Sequence, residues 1–172
     1  DILLVRENTE GEYVGIGGRG HQGTSSELAI QTTVFTRQGV DRIVRYAFEQ
    51  ARSRSGRLAS ATKSNAMQYT SVMWDEVVEE VAREYPDVVV TSYLIDALAA
   101  RFISSPQTLD VVVASNLFGD ILADIGAVLM GSMGMAASAN LNPARTSPSL
   151  FEPVHGSAPD IAGKGVANPI GA

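Results

Sequence analysis

The sequence contains no cysteine. Disulfides, thiolate zinc sites and cysteine nucleophiles are therefore excluded, and any metal must be held by oxygen or histidine. Histidine is scarce as well, with His21 and His155 the only two. No apolar run approaches the roughly 18 residues that a membrane helix requires, and no basic stretch leads into a short apolar core of the signal-peptide kind. The chain is expected in the cytoplasm. There is no basic surplus either: 13 Lys and Arg against 19 Asp and Glu leave a net charge of −6. The basic residues are scattered, whereas binding by counterion release needs them clustered, so a nucleic-acid partner is excluded. Internal repeats and low-complexity segments are also missing. What is present is 172 residues, 45% hydrophobic and 19% charged, enough for one main hydrophobic core. Asp1 leads straight into Ile2-Leu3-Leu4-Val5 and the chain stops at Asn168-Pro169-Ile170-Gly171-Ala172 without a closing element, so a piece of a longer chain is expected.

Residues 2–5 read as a buried strand. A Gly-rich stretch (Gly15, Gly17, Gly18, Gly20, Gly23) and a β-leaning segment from Leu28 to Phe35 follow, the pattern of a protruding hairpin or arm over about 14–35. Thr36 is a plausible N-cap for a helix running to about Ser53, with Val40, Ile43, Val44, Ala47 and Phe48 at helical spacing. Leu58 to Thr62 reads as a strand. A second helix spans about Thr70 to Glu84 and is stopped by Pro86. Val88 to Val90 reads as a strand, Leu94 to Ile103 as a helix, Val111 to Ala114 as a strand and Leu117 to Leu129 as a helix. Strands alternating with helices predict a largely parallel α/β sheet. Beyond Gly131 the texture turns to Gly, Ala, Asn, Pro and Ser up to Pro148, which predicts a loop leading out of this lobe.

The sharpest chemical signal is Asn116-Leu117-Phe118-Gly119-Asp120-Ile121-Leu122-Ala123-Asp124, at the point where a strand ends and a helix begins. Ligands collect at that edge of α/β sheets. Asp120 and Asp124 project from one helix face, while Ile121, Ile125 and Val128 are expected to turn toward the core. Two like charges one turn apart repel, so the pair is either a solvated acidic first turn or a site for Mg²⁺ or Mn²⁺. Asp96, opening another helix, is either a dipole partner or a third ligand. In Arg6-Glu7-Asn8-Thr9-Glu10-Gly11-Glu12-Tyr13, arginine suits a bidentate grip on a carboxylate and tyrosine can donate a proton; a surface ion-pair network is the plainer alternative. Lys63, at a strand's carboxyl end, is either a surface charge or a base. The segment from Glu152 to Gly165 carries His155, Gly156 and Asp160; its glycines permit close backbone approach to a ligand and Asp160 suits ribose hydroxyls. No G-x-G-x-x-G follows a strand in this segment, so an ordinary Rossmann site is not indicated. His21 is expected to be simply exposed.

Taken together and in this order, RENTEGEY at 6–13, ATKSN at 61–65, YLIDALAARF at 93–102, ASNLFGDILADIGA at 114–127 and FEPVHGSAPDIAGKGVANP at 151–169 resemble functional blocks of the isocitrate/isopropylmalate dehydrogenase family of β-decarboxylating dehydrogenases. The resemblance runs through essentially the whole chain and is strongest to the tartrate/D-malate branch. It implies an α/β, isopropylmalate dehydrogenase-like two-lobed fold, with residues 1–148 as the small dimer-forming lobe and 149–172 as the return into the large lobe. It implies Mg²⁺ or Mn²⁺ on Asp120 and Asp124, with Asp96 contributed by a second subunit of a homodimer. By the same resemblance Lys63, also from the second subunit, is the base, Arg6 holds a substrate carboxylate and Tyr13 protonates the enol. His155, Gly156, Ser157, Ala158 and Asn168 line an adenosine pocket, and Asp160 takes the ribose hydroxyls, which favours NAD over NADP. The implied reaction is oxidative decarboxylation of a small 2-hydroxy dicarboxylic acid. Oxidation of 3-isopropylmalate or isocitrate, or a non-catalytic regulatory-type subunit, are the alternatives. The family's other substrate arginines lie upstream of Asp1, so these 172 residues alone are expected to turn over little or nothing.

Overall fold

Every residue of the strand Val111–Ala114 is buried, so this strand needs cover on both faces. The computed structural model, which describes residues 1–171, provides it with parallel neighbours and helices. In chain order the elements are β1 (Leu3–Arg6), β2 (Gly11–Gly20), β3 (Leu28–Val34), α1 (Arg37–Ser53), β4 (Arg57–Thr62), α2 (Thr70–Ala82), β5 (Val89–Leu94), α3 (Ile95–Ser104), β6 (Val111–Ala114), α4 (Asn116–Leu129), β7 (Ala137–Asn140) and β8 (Leu150–Pro153), with short 3₁₀ turns between some of them. The chain divides into two compact units, Asp1–Asp120 and the residues from Ile121 onward, with the boundary inside α4.

The first unit is built on a sheet of order β1-β6-β4-β5. All three pairings are parallel: Leu3 faces Val111, Leu58 faces Val111 from the other side, and Arg57 faces Val89. The parallel α/β sheet expected from the alternation of elements is the one observed. On one face, Val5, Leu58, Val111 and Val113 meet Val44, Ala47 and Phe48 of α1 and Trp74, Val77 and Val81 of α2. Each of the larger side chains contributes about 2–3 kcal/mol through burial. Trp74 keeps its polar edge satisfied inside this core by donating its indole N–H to Ser60 Oγ at 3.0 Å. Helix α1 starts where its sequence says it should, because the Thr36 hydroxyl accepts the Gly39 N–H at 3.0 Å.

Between β1 and α1 the chain leaves as an antiparallel β2–β3 hairpin, with Ile16 opposite Thr32 and Gly20 opposite Leu28. Ile16, Leu28 and Ile30 on this hairpin are exposed, and His21 in its turn is exposed as expected. Gly15 to Gly20 spells G-x-G-x-x-G, yet the segment lies within β2 rather than between a strand and a helix. It therefore lacks the helix amino terminus that such a motif offers to phosphates.

Three expectations are corrected. Strand β5 runs on to Leu94, because Thr91, Ser92 and Tyr93 continue the ladder with β4 although they do not form an apolar run. The stretch after Gly131 is not all loop: β7 and β8 pair antiparallel, Ala137 opposite Pro153 and Asn140 opposite Leu150. Backbone pairing rather than apolar alternation makes those strands. In α4 the buried apolar side chains are Phe118, Leu122 and Ala127 and Ile125 is half-buried, whereas Ile121 and Val128 are 44% and 67% exposed, so two of the three residues expected to turn inward do not. No helix among the described residues is long and apolar enough to cross a membrane.

Candidate active site

Because its four strands are parallel, the sheet gathers all their carboxyl ends on one edge, where loops leave space for a ligand. Arg6 closes β1, Lys63 follows β4, Asp96 lies in the first turn of α3 after β5, and Asn116 opens α4 after β6. Five of the singled-out residues form two clusters along this edge.

Arg6, Tyr13 and Asp120 make the first. Arg6 Nη1 stands 2.7 Å from Asp120 Oδ1. Its Nε and Nη2 donate to Asn116 Oδ1 at 3.2 and 2.9 Å, which fixes the plane of the guanidinium. Tyr13 donates its hydroxyl to the other oxygen of Asp120 at 3.3 Å. The Tyr13 phenol is pushed above its ordinary value by burial, then by the Asp120 charge and the bond to it, against the pull of Arg6. It therefore holds its proton at neutral pH. Gly119 makes the arrangement possible: a Cβ there would come within 2.6 Å of Arg6 Cγ, so only glycine lets the arginine lie across the first turn of α4.

Lys63 and Asp96 make the second cluster, with Nζ donating to Oδ1 at 2.6 Å. That bond holds the Asp96 carboxyl below its usual range, although 67% of its side chain faces solvent. Both clusters are open, with carboxylate oxygens still reachable from water.

The remaining acids of the RENTEGEY segment, which the sequence reading left without roles, each tie the loop to a helix. Glu7 is buried and accepts the Thr9 N–H at 2.7 Å, the Thr9 hydroxyl at 2.6 Å and Arg42 Nη2 of α1 at 3.0 Å. Burial alone would raise its pKa, but these bonds outweigh it and hold the carboxyl low. Glu10 accepts both the N–H and the hydroxyl of Thr36, at 2.9 and 2.8 Å, next to Gly39, where a Cβ would strike the Glu10 carboxylate. Glu12 accepts the Ser115 hydroxyl at 2.8 Å and the Leu117 N–H at 3.0 Å, at the start of α4. Asn116 reaches back to the Glu10 carbonyl at 3.2 Å. Ion pairs thus occur on both sides of this segment, Glu7 with Arg42 and Arg6 with Asp120, and Tyr13 hydrogen-bonds the same aspartate. The one local signal for Asn116 was its place at the junction of strand and helix.

Asp124, one turn beyond Asp120 on α4, is exposed and makes no side-chain hydrogen bond or ion pair to the other described residues. Among the described residues no three His, Asp or Glu side chains of this chain converge as a metal cage. The donor chemistry nevertheless suits Mg²⁺ or Mn²⁺: Asp96, Asp120 and Asp124 are oxygen donors with open faces, and a carboxylate bound to arginine retains lone pairs. His155 Nδ1 lies 2.8 Å from the Gly156 carbonyl, Ala158 is left-handed at φ 43° ahead of a 3₁₀ turn, Gly156, Ser157 and Asp160 are exposed, and Asn168 Oδ1 accepts the Ile170 N–H at 3.1 Å.

The sequence profile described as isocitrate/isopropylmalate dehydrogenase matches residues 1–172. D-malate dehydrogenase (decarboxylating) of Escherichia coli (strain K12) is 60% identical over 99% of this chain and 47% of its own length. Tartrate dehydrogenase/decarboxylase of Pseudomonas putida is 55% identical over 99% of this chain and 47% of its own. The crystal structure of isocitrate dehydrogenase from Methylococcus capsulatus superposes with a TM-score of 0.90 at 43% identity, covering 99% of this chain and 50% of that one. The chain spans about half the length of the curated relatives it matches.

Proposed function

Because this chain belongs to the isocitrate/isopropylmalate dehydrogenase family, we propose that the protein carrying it is a cytoplasmic enzyme that oxidises and decarboxylates a small 2-hydroxy dicarboxylic acid of the D-malate/tartrate type, using NAD and Mg²⁺ or Mn²⁺. The observation that carries the reading is the sorting of reactive side chains into two groups within one chain, Arg6 with Tyr13 and Asp120, and Lys63 with Asp96. A reaction that removes a hydroxyl proton at one step and returns a proton to carbon at a later one needs two such groups.

In this reading the site is shared in a homodimer, Arg6, Tyr13, Asp120 and Asp124 coming from one subunit and Lys63 and Asp96 from the other. Residues 1–148 form the dimer-forming small lobe, and the exposed apolar side chains Ile16, Leu28 and Ile30 of the hairpin suit an arm that clasps the second subunit. Lys63 would take the hydroxyl proton, and NAD, when bound, would supply the hydride acceptor. Arg6 holds a substrate carboxylate by paired N–H donors. After CO₂ leaves, Tyr13 gives its proton to the enol carbon. Asp96, Asp120 and Asp124 would hold the divalent ion, which supplies Lewis-acid polarisation of the hydroxyl and carbonyl oxygen. His155, Gly156, Ser157, Ala158 and Asn168 would meet the adenosine, with Asp160 on the ribose, where a carboxylate disfavours a 2′-phosphate.

The higher identity to D-malate and tartrate enzymes than to the isocitrate enzyme supports the choice of substrate class. Assays of the intact protein with D-malate, L-tartrate, 3-isopropylmalate and isocitrate, each with NAD and Mn²⁺, test it. NADH and CO₂ should form fastest from D-malate or tartrate and stop on chelation. Formation of NADH from none of the four acids overturns the reading.

A further inference from the structure

Glu12 and Tyr13 are consecutive in β2, yet both reach the start of α4. Glu12 meets it through Ser115 and Leu117, and Tyr13 through Asp120 one turn later. The first N–H groups of a helix lack partners within it and are usually satisfied by the residue just ahead. Ser115 occupies that place here, but its hydroxyl is turned over to Glu12 as a donor, and the carboxylate that takes the Leu117 N–H comes from 105 residues away in sequence. The negative charge also lies at the favourable pole of the helix dipole. Hairpin and helix are thereby joined at the residue next to the phenol.

The two neighbouring attachments differ in strength. The Tyr13 bond is exposed and long, at 3.3 Å, and water competes for both its partners. The Glu12 bonds are partly buried, charge-assisted and shorter, at 2.8 and 3.0 Å. Arg6 is held independently by Asn116 and Asp120, so it does not depend on Glu12. We infer that Glu12 is a positioning residue that sets where the Tyr13 hydroxyl stands relative to Arg6 and Asp120, by clamping β2 to the first turn of α4. The inference rests on the proposed function, in which Tyr13 returns a proton to the substrate carbon, and adds to it the residue that aims that proton.

The test is a double-mutant cycle in the intact enzyme. Glu12→Ala should lower kcat by about 10²-fold, the effect of a misplacement near 1 Å, while KM for the hydroxy acid changes less than about threefold because Arg6 keeps its own supports. Glu12→Gln, which retains an oxygen acceptor for Leu117 and the same length, should recover kcat to within about tenfold of the parent. In a Tyr13→Phe background Glu12→Ala should cost little more, because the group it aims is already gone. If Glu12→Ala does not fold, Glu12→Asp, one methylene short of the helix, takes its place in the same cycle. A parent enzyme that is active, with a Glu12→Ala kcat within twofold of it, overturns the inference alone. So does a Glu12→Ala loss that is equal with and without the Tyr13 hydroxyl. A parent that turns over none of the four hydroxy acids overturns the functional reading and this inference with it.

Discussion

The two ends of the parallel sheet both carry aspartates paired with basic residues, and they use them differently. At the amino end Asp110, just before β6, is buried; it accepts Arg54 Nε at 2.7 Å, the Ser55 N–H at 3.0 Å and the Ser55 hydroxyl. At the carboxyl end Asp120 meets Arg6 and Tyr13, and Asp96 meets Lys63, with 47% and 67% of the two aspartate side chains left in solvent. The first arrangement is closed, with both carboxylate oxygens engaged by Arg54 and Ser55. The second is open, and its oxygens can trade a protein partner for a ligand. An ion pair by itself therefore identifies neither a structural nor a chemical role; accessibility of the remaining lone pairs separates them.

The difference predicts opposite outcomes for similar substitutions. The largest effect is expected at the open end, where Asp120→Asn in the intact protein should lower kcat/KM by about 10³-fold, as loss of a ligand to the divalent ion of the proposed reaction would. Its unfolding free energy, from denaturant titration, should move by less than about 1 kcal/mol, since the pair is half exposed. A large loss of stability with activity retained would reverse the assignment. At the closed end Asp110→Ala should destabilise by about 3 kcal/mol, because Arg54 and the Ser55 N–H lose a buried acceptor. A denaturation midpoint equal to that of the parent would break the comparison.

The smallest effect concerns pH. Burial alone would raise the Asp110 carboxyl, but the Ser55 and Arg54 bonds outweigh it and hold it below its ordinary value of 3.8. With the folded value depressed, the group contributes fully above pH about 4 and loses that contribution as the pH falls below 3.8 toward the folded value. Replacing Asp110 by Asn should flatten the slope of stability against pH in that acid window. An unchanged slope would show that other carboxylates govern acid unfolding.

Much of the first unit was legible because one period dominates each segment. Val111–Ala114 is apolar throughout, and Val40, Val44, Ala47, Phe48 and Ala51 recur at helical spacing, so β6 and α1 stand within a residue or two of expectation. Edge strands and short hairpins were less legible. Strand β5 mixes Thr and Ser with apolar residues because, among the described residues, one of its sides has no neighbour in this sheet, and β7 is a run of small residues held by backbone pairing. Helix α4 misled because apolar residues occupy more than one of its faces, and periodicity cannot say which face is covered. At the sheet edge, residue types left Arg6, Tyr13, Lys63, Asp96 and Asp120 open between surface charge and site, and the resemblance to the family's blocks singled them out. Their division into two groups, and the roles of Glu7, Glu10, Glu12 and Asn116, depend on pairings across long sequence separations that no local pattern records.

Among the described residues strand β1 has one neighbour in its sheet, β6, with Leu3 opposite Val111. On a ribosome the pairing of β1 with β6 must therefore wait until the chain through Ala114 has emerged. At about 5–20 residues per second that delay is on the order of ten seconds. During it Leu3, Leu4 and Val5 lack their ladder with β6, and a nascent chain must be shielded there from aggregation before this edge of the sheet can form.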